Sequence, residues 1–326
     1  MRVLVTGGAG YIGAHVVHAL QRDRQDVAVL DDLSTGIRDR LNQGTPFYQG
    51  SVLDADFVVS ALREHRTEAI VHVAAKKAVE ESVQHPLTYY LENVVGMHSL
   101  LSAMTDTGVS RILFSSSAAV YGVPSDGMVT EQSETAPASP YGWTKLMCEQ
   151  MLRDTARAHE LSWVSLRYFN VAGATDPVLG DRGVNNLVPK VFRAISSGQN
   201  PQIFGDNYPT EDGTCVRDYI HVEDVAEAHA AAIQRMAALE LAATYNIGTG
   251  SGTSVLAVMQ AVQRITGIKF KWDVCGPREG DPARVVADPT KIRDELGWRS
   301  RHDLDDIIGS AWNAWCAASA GPHDAR

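Results

Sequence analysis

In Tyr141-Gly142-Trp143-Thr144-Lys145 a phenol and an ammonium stand four residues apart, and on a helix that spacing puts both on one face. Such a pair can move a proton. A tyrosine hydroxyl titrates near ~10 in water, so it acts as a base at neutral pH only where positive charge favours the phenolate. Lowering it by roughly three units takes about 4 kcal/mol of differential stabilisation, which Lys145 and an oxidised nicotinamide ring at close range can supply. The same two residues are also an ordinary surface pair on an amphipathic helix, so neighbouring motifs must decide.

Two further stretches carry compatible chemistry. Gly7, Gly10 and Gly13 form a G-x-x-G-x-x-G run that encloses Tyr11 and Ile12. Glycines let the backbone turn tightly and approach a pyrophosphate at a helix N-terminus. Asp31, followed by Asp32, ends the next apolar run about twenty residues downstream, where a carboxylate can accept hydrogen bonds from an adenosine ribose. Its charge repels a 2′-phosphate, which favours NAD over NADP; a plain polar turn is the alternative. Ser115-Ser116-Ser117, inside the stretch Phe114 to Gly122, follows an apolar run. Serine-rich loops are commonly turns, but a serine there can hydrogen-bond a substrate hydroxyl and relay its proton to a phenolate.

Holding these groups together calls for a parallel sheet. Arg2-Val3-Leu4-Val5-Thr6 is a β-branched run feeding the glycine turn and an apolar-periodic helix to about Leu20. The alternation continues through Val27 to Leu30, a helix near Ala55 to His65, Ala69 to His72, a helix near Leu87 to Thr107, Arg111 to Phe114, the helix of Tyr141, and Trp163 to Arg167. This pattern predicts an α/β fold: a doubly wound parallel Rossmann sheet with right-handed crossovers. The NAD-binding domain is expected over 1–170, and the chain is expected to return to it at about 219–248, with Tyr245 to Gly248 as one more strand and turn. The loop-rich stretch from Val171 to Thr214 opens a smaller, mixed α/β substrate-binding region, 171–326, over the carboxyl ends of the strands. The alanine-rich run Ala226 to Ala243 reads as helix, as does Ser254 to Thr266.

The chain has 326 residues and is 44% hydrophobic, enough for a full core. A formal net charge of −10 argues against nucleic-acid or membrane-surface partners, so an anionic ligand must be gripped locally. Cys148, Cys215, Cys275 and Cys316 are scattered, without metal-ligand spacing. They read as reduced core thiols, and no metal is expected. No basic leader with a cleavage site and no run of about eighteen apolar residues is found, which predicts a cytoplasmic enzyme.

Together the motifs resemble the extended short-chain dehydrogenase/reductase family and, within it, the nucleotide-sugar 4-epimerase branch. The similar blocks are Thr6 to Gly13, Lys77 to Val83, Ser115 to Gly122, Ser139 to Lys145, Arg167 to Asn170 and, most specifically, Phe204 to Val222; the last is Pro277-Arg278-Glu279-Gly280-Asp281. The resemblance implies a homodimer that interconverts UDP-glucose and UDP-galactose by transient oxidation at C4, with NAD as cofactor. It implies a catalytic trio of Ser117, Tyr141 and Lys145. For the cofactor it implies Gly7, Gly10, Tyr11, Ile12, Gly13, Asp31, Asp32, Ser51, Val52, Val73, Ala74, Ala75, Lys77, Asn93 and Phe169, with Tyr141 and Lys145. For the UDP-sugar it implies Asn170, Asn186, Leu187, Gln202, Ile203, Phe204, Arg217, Tyr219, Arg278, Asp281 and Val285, with Lys77, Ser117 and Tyr141.

Arg217 and Arg278 make independent sense as partners for a diphosphate, although a surface ion pair is the usual role of either alone. Dehydratases of the family carry acidic residues directly after the catalytic Ser or Thr, where this chain has Ala118 and Ala119. Methyl groups transfer no protons, so epimerisation is expected rather than elimination. The modest size of Val285 implies room for UDP-N-acetylhexosamines. A UDP-uronate or UDP-pentose epimerase, a nucleotide-sugar dehydratase or reductase, and a non-catalytic NAD sensor remain as alternatives. Two departures from the family stand out: Gly50-Ser51-Val52 replaces an adenine-contacting Asp, and Val73-Ala74-Ala75-Lys76 replaces aromatic-Ala-Gly before the lysine. Apolar stripes on the helices Leu87 to Thr107 and Tyr141 to Glu160, including Leu146, Met147, Met151 and Leu152, match the family's dimer interface; covering the sheet is the other use for them.

Overall fold

A computed structural model describes residues 1–183, 185–278 and 280–319; Glu279 of the block Pro277 to Asp281 therefore lies outside the described residues. Strand β1 (Arg2–Thr6) runs through the glycine turn into α1 (Tyr11–Arg22), followed by β2 (Asp26–Asp31), β3 (Phe47–Gln49) and α2 (Ala55–Glu64). Next come β4 (Ala69–His72), α3 (Val79–Gln84), α4 (Pro86–Tyr89) and, past a π-helical turn at Tyr90–Val95, α5 (Gly96–Thr107). Then follow β5 (Arg111–Ser117), β6 (Met128–Val129), α6 (Pro140–His159), β7 (Ser162–Tyr168), β8 (Asn170–Ala172), α7 (Leu187–Ser196) and β9 (Gln202–Phe204). The rest comprises β10 (Val216–His221), α8 (Val222–Ala238), β11 (Ala242–Ile247), β12 (Gly252–Ser254), α9 (Val255–Thr266), β13 (Asp273–Cys275), β14 (Arg284–Ala287), α10 (Thr290–Leu296) and α11 (Leu304–Ser319).

Seven strands form one parallel sheet in the order β11-β7-β5-β4-β1-β2-β3. Its strands are apolar on both faces, as a sheet covered by helices on each side requires. Val3 and Val5 pack with α1 and α8 on one face, while Leu4, Ile70 and Ile112 pack with α2, α5 and α6 on the other. From β1 the chain proceeds outward to β2 and β3 on one side and to β4, β5, β7 and β11 on the other. The resulting switch point, at the carboxyl ends of the strands, is where open α/β sheets bind ligands. The Ser139 side chain caps α6 by accepting from the Gly142 amide at 3.2 Å, and Pro140 occupies the first turn; both are favourable at a helix start.

The second region starts directly after β7. There β8 pairs with β10 in a sheet ordered β12-β10-β14-β6, and β9 pairs with β13. Several local expectations change. The stretch 171–214, expected to be loop, contains α7, whose Val188, Val191 and Phe192 are buried at helical spacing. The expected return at about 219 falls within β10, a strand of the second sheet; the chain rejoins the main sheet through α8 and β11. The alanine-rich run is helical only to Ala238, since Ala242 and Ala243 pair with Trp163 and Val164. Tertiary pairing outweighs alanine's helix preference, which is worth only fractions of a kcal/mol per residue. Cys148 and Cys215 are buried free thiols, but Cys275 is intermediate and Cys316 exposed, so only two of the four are core thiols. Among the described residues no helix is long and apolar enough to cross a membrane.

Candidate active site

The glycine turn is a cradle built to exclude side chains. Gly7 has φ +70°, and a Cβ there would lie 2.6 Å from the Ala74 amide nitrogen; at Gly13 it would lie 2.0 Å from the Gly7 carbonyl oxygen. Gly10 caps α1 in an extended conformation without a side chain of its own. These features suit a pyrophosphate held against bare backbone at a helix N-terminus. Asp31 is buried, and its carboxylate accepts from the Ala9 and Leu33 amides, both at 2.9 Å. Burial raises its pKa, against the pull of these two amides. The carboxylate thus ties the glycine turn to the end of β2 and keeps lone pairs for a ribose. The residues present fit NAD.

Other expected cofactor residues also make contacts within the chain. The Val73 and Ala74 amides donate to the Thr6 carbonyl, each at 3.1 Å, which closes the floor of the cradle. Asn93 is buried; it accepts from the Lys76 amide at 2.8 Å and donates to the Lys76 carbonyl at 3.0 Å and to Thr144 Oγ1 at 2.9 Å. It therefore pins the segment before Lys77 to α6. Lys77 Nζ stands 5.8 Å from the centre of the Tyr11 ring, whose hydroxyl donates to the Gly173 carbonyl at 2.6 Å. Ser51 caps its own turn through the Leu53 amide, and Val52 is part of the core. Phe169 is buried in a cluster with Tyr121, Val129 and Val285. Ile12 is half-buried, whereas Asp32 and Ala75 are exposed.

Ser117 ends β5, and Tyr141 and Lys145 lie on the buried face of α6. Lys145 Nζ donates to the Ser115 carbonyl at 2.8 Å and sits 4.9 Å from the Phe114 ring and 6.0 Å from the Tyr141 ring. Burial lowers the Lys145 pKa to about 8, opposed by Cys148 and Glu149. Burial also raises the Tyr141 phenol, against a downward pull from the Ser117 hydroxyl. The sequence suggested that Lys145 together with an oxidised nicotinamide ring would acidify the phenol; in the chain without cofactor, burial outweighs the pull towards the phenolate.

The expected sugar-nucleotide residues form two groups. Asn170, Asn186, Leu187 and Tyr219 line one small cleft between β8, β10 and the start of α7. Gln202, Ile203 and Phe204 form β9, and the Arg278 guanidinium lies 3.9 Å from the centre of the Phe204 ring. Both arginines expected at a diphosphate have carboxylate partners: Arg217 pairs with Asp281, and Arg278 meets Glu80 of α3 at 3.0 Å. Val285 is buried in the cluster that also holds Val120 and Tyr121, three and four residues after Ser117.

Sequence reasoning missed Glu149, Arg167 and Glu80. Glu149 was findable, since it continues the four-residue spacing from Tyr141 through Lys145. It likewise missed the one His/Glu group among the described residues whose ligating atoms come within 4.8 Å of each other, His221, Glu223 and His302. Its two rings are stacked, 4.2 Å between centroids at 25°, so their in-plane lone pairs run side by side and do not converge on an ion. His221 is moreover bonded to Ser310 Oγ at 2.9 Å and to the Glu223 amide at 3.0 Å.

A family model described as the NAD dependent epimerase/dehydratase family matches residues 3–248. The chain is 43% identical over 317 residues to a UDP-glucose 4-epimerase of Lactobacillus helveticus, covering 96% of each chain. It is similar to the crystal structure of a UDP-glucose 4-epimerase from Stenotrophomonas maltophila with bound NAD and formylated UDP-arabinopyranose, at TM-score 0.94 and 40% identity over 98% of this chain and 99% of that one. A structure from Bifidobacterium longum, a UDP-glucose 4-epimerase in complex with NAD+ and UDP, is similar at TM-score 0.92 and 37% identity, covering 98% of this chain and 100% of that one.

Proposed function

The chain belongs to the NAD dependent epimerase/dehydratase family, and from that premise we propose that it interconverts UDP-glucose and UDP-galactose, inverting C4 without net redox. The observation that carries this reading is the trio of half-buried Ser117 with buried Tyr141 and Lys145, at the same carboxyl end of the parallel sheet as the glycine cradle. Residues 1–170, together with α8 and β11, hold the cofactor; the remainder of the chain holds the nucleotide sugar.

Bound NAD supplies the hydride acceptor and donor for C4. Tyr141 takes the proton of the 4-hydroxyl, Ser117 hydrogen-bonds that oxygen and relays the proton, and Lys145 contributes positive charge from its seat on the Ser115 carbonyl. Arg217 and Arg278 exchange their carboxylate partners for the diphosphate and anchor it while the sugar turns about its phosphate link. Ala118 and Ala119 offer no acid or base for elimination, which favours epimerisation over a dehydratase reaction. Incubating the protein with 4-deuterated UDP-glucose tests the reading. The galactose-type product should keep its label, and loss of the label to solvent would overturn it.

Val285 leaves the sugar pocket room for an N-acetyl group, and UDP-N-acetylglucosamine is a second substrate on this reading; turnover of UDP-glucose with none of the N-acetylated sugar rules that out. The protein acts as a homodimer through α3, α4, the π-helical turn and α6. These expose Val83 at 63%, Leu87 at 80% and Met147 at 40% on neighbouring elements, and a contiguous exposed apolar patch marks a protein–protein interface.

A further inference from the structure

Glu149 lies one turn beyond Lys145 and two beyond Tyr141 on the buried face of α6. Its side chain has no exposed surface, yet it gathers four donors. Oε1 accepts from Ser116 Oγ at 2.6 Å and Arg167 Nε at 2.8 Å; Oε2 accepts from Arg167 Nη2 at 2.6 Å and Arg153 Nη2 at 2.8 Å. Arg167, on β7, is 2% exposed and donates through Nη1 to the Tyr121 hydroxyl at 3.0 Å. Tyr121 in turn donates to Asn246 Oδ1 at 2.7 Å, and Asn246 Nδ2 donates to the Val129 carbonyl at 2.9 Å.

A buried ion pair is poor evidence of stability, because apolar residues of similar volume often serve the fold as well or better. What this pair holds is more telling. Ser116 sits between the two β5 residues that face the reaction: Ser115, whose carbonyl seats Lys145, and Ser117. Side chains alternate along a strand, so the Ser116 hydroxyl turns to α6 while the Ser115 hydroxyl turns to α8, where it meets His229 Nε2 at 2.9 Å. Arg167 ties β7, two residues before Phe169, to the same carboxylate.

We propose that Glu149, acting through Ser116 and Arg167, is the positioning residue of the trio: it locks the helix carrying Tyr141 and Lys145 to the strand carrying Ser117 at one register. The inference rests on the proton-transfer reading above. Apolar packing by Cys148 and Leu152 holds α6 on the sheet, but it does not set the register as finely as the three directional hydrogen bonds from Ser116 and Arg167. Misplacement by about 1 Å costs a reaction roughly a hundredfold.

Two variants separate positioning from folding, with UDP-galactose turnover, bound NAD and melting temperature as readouts. Ser116→Ala removes one donor and leaves the ion pair intact; kcat should fall roughly tenfold at unchanged KM. Glu149→Leu combined with Arg167→Met removes both charges at similar volume; melting temperature and NAD content should hold while kcat falls roughly a hundredfold and KM stays within about twofold. A paired variant that folds, carries NAD and turns over within about twofold of the parent overturns the inference. Should the paired variant not fold, Ser116→Ala decides alone, and an unchanged kcat there overturns it. A parent chain that leaves UDP-galactose untouched refutes the underlying reading and takes the inference with it, an outcome distinct from a working parent with indifferent variants.

Discussion

Tyr141 and Lys145 share a site whose burial disfavours charge on either of them. The phenol is pushed up and the ammonium pulled down to about 8, so the free chain holds its base protonated. Tyr141→Phe should lower kcat by roughly a hundred- to ten-thousandfold while bound nucleotide is retained; preserved turnover would remove the phenol from the mechanism. Lys145 also has a thermodynamic signature. Its folded pKa of about 8 lies below its ordinary value of 10.5, so the unfolded chain binds the extra proton between those limits. Below about pH 8 the fold bears the full cost of the buried charge, about 3 kcal/mol, and that cost fades as pH rises towards the unfolded value. Lys145→Met should therefore melt higher than the parent in the cofactor-free form at neutral pH, with an advantage that shrinks at alkaline pH, and it should be inactive. Calorimetry across that pH range checks the sign.

At the scale of elements, the strand-turn-helix of β1 and α1 works because three glycines let two backbones approach closely. At Gly13 even one methyl would meet the Gly7 carbonyl at 2.0 Å, a contact that only movement of the backbone could relieve. Gly13→Ala should yield protein with little or no bound NAD after gel filtration, read from its absorbance spectrum; a normal cofactor content would show that the turn tolerates a shift. This element was legible from glycine spacing and the following Asp31, as was α6, with Pro140 in its first turn and its Tyr/Lys pair. Helix α7 was not legible, because Gly, Pro and Asn around it masked a short amphipathic run whose apolar face is defined by the cluster it joins with β8, β9, β10, α9 and α11. The π-helical turn at Tyr90–Val95, which carries buried Asn93, was also invisible, since no local residue demands it.

For the molecule as a whole, two features extend beyond one element: the contacts of α3 with residues 171–319, and the apolar face on α3, α4 and α6. Leu91, Val95 and Trp143 add 49%, 44% and 43% exposure to that face. Sedimentation should report a mass near two chains. Leu87→Glu combined with Met147→Glu should return it to one, because two pairs of like charges would face each other across a self-complementary interface. A parent that sediments as a single chain would refute the dimer. Glu80, an exposed carboxylate on α3, makes those contacts: it reaches Arg278 at 3.0 Å and Lys190 at 3.5 Å. Its interactions are solvent-exposed and of little worth to stability, so they should yield readily to a diphosphate.

The order of strands and helices, the glycine cradle, the Tyr/Lys spacing and the absence of an acid after Ser117 were determined by the sequence itself, because each is a matter of neighbours along the chain. Tertiary structure decided the rest. Whether Tyr141 is acidified depends on how deeply α6 is covered and how far Lys145 reaches. The partners of Glu149 come from β5 and β7, and those of the two arginines from α3 and the loop before β14. Electrostatics and hydrogen bonds act through space, so they become definite only when residues remote in the chain are brought together and water is excluded from between them.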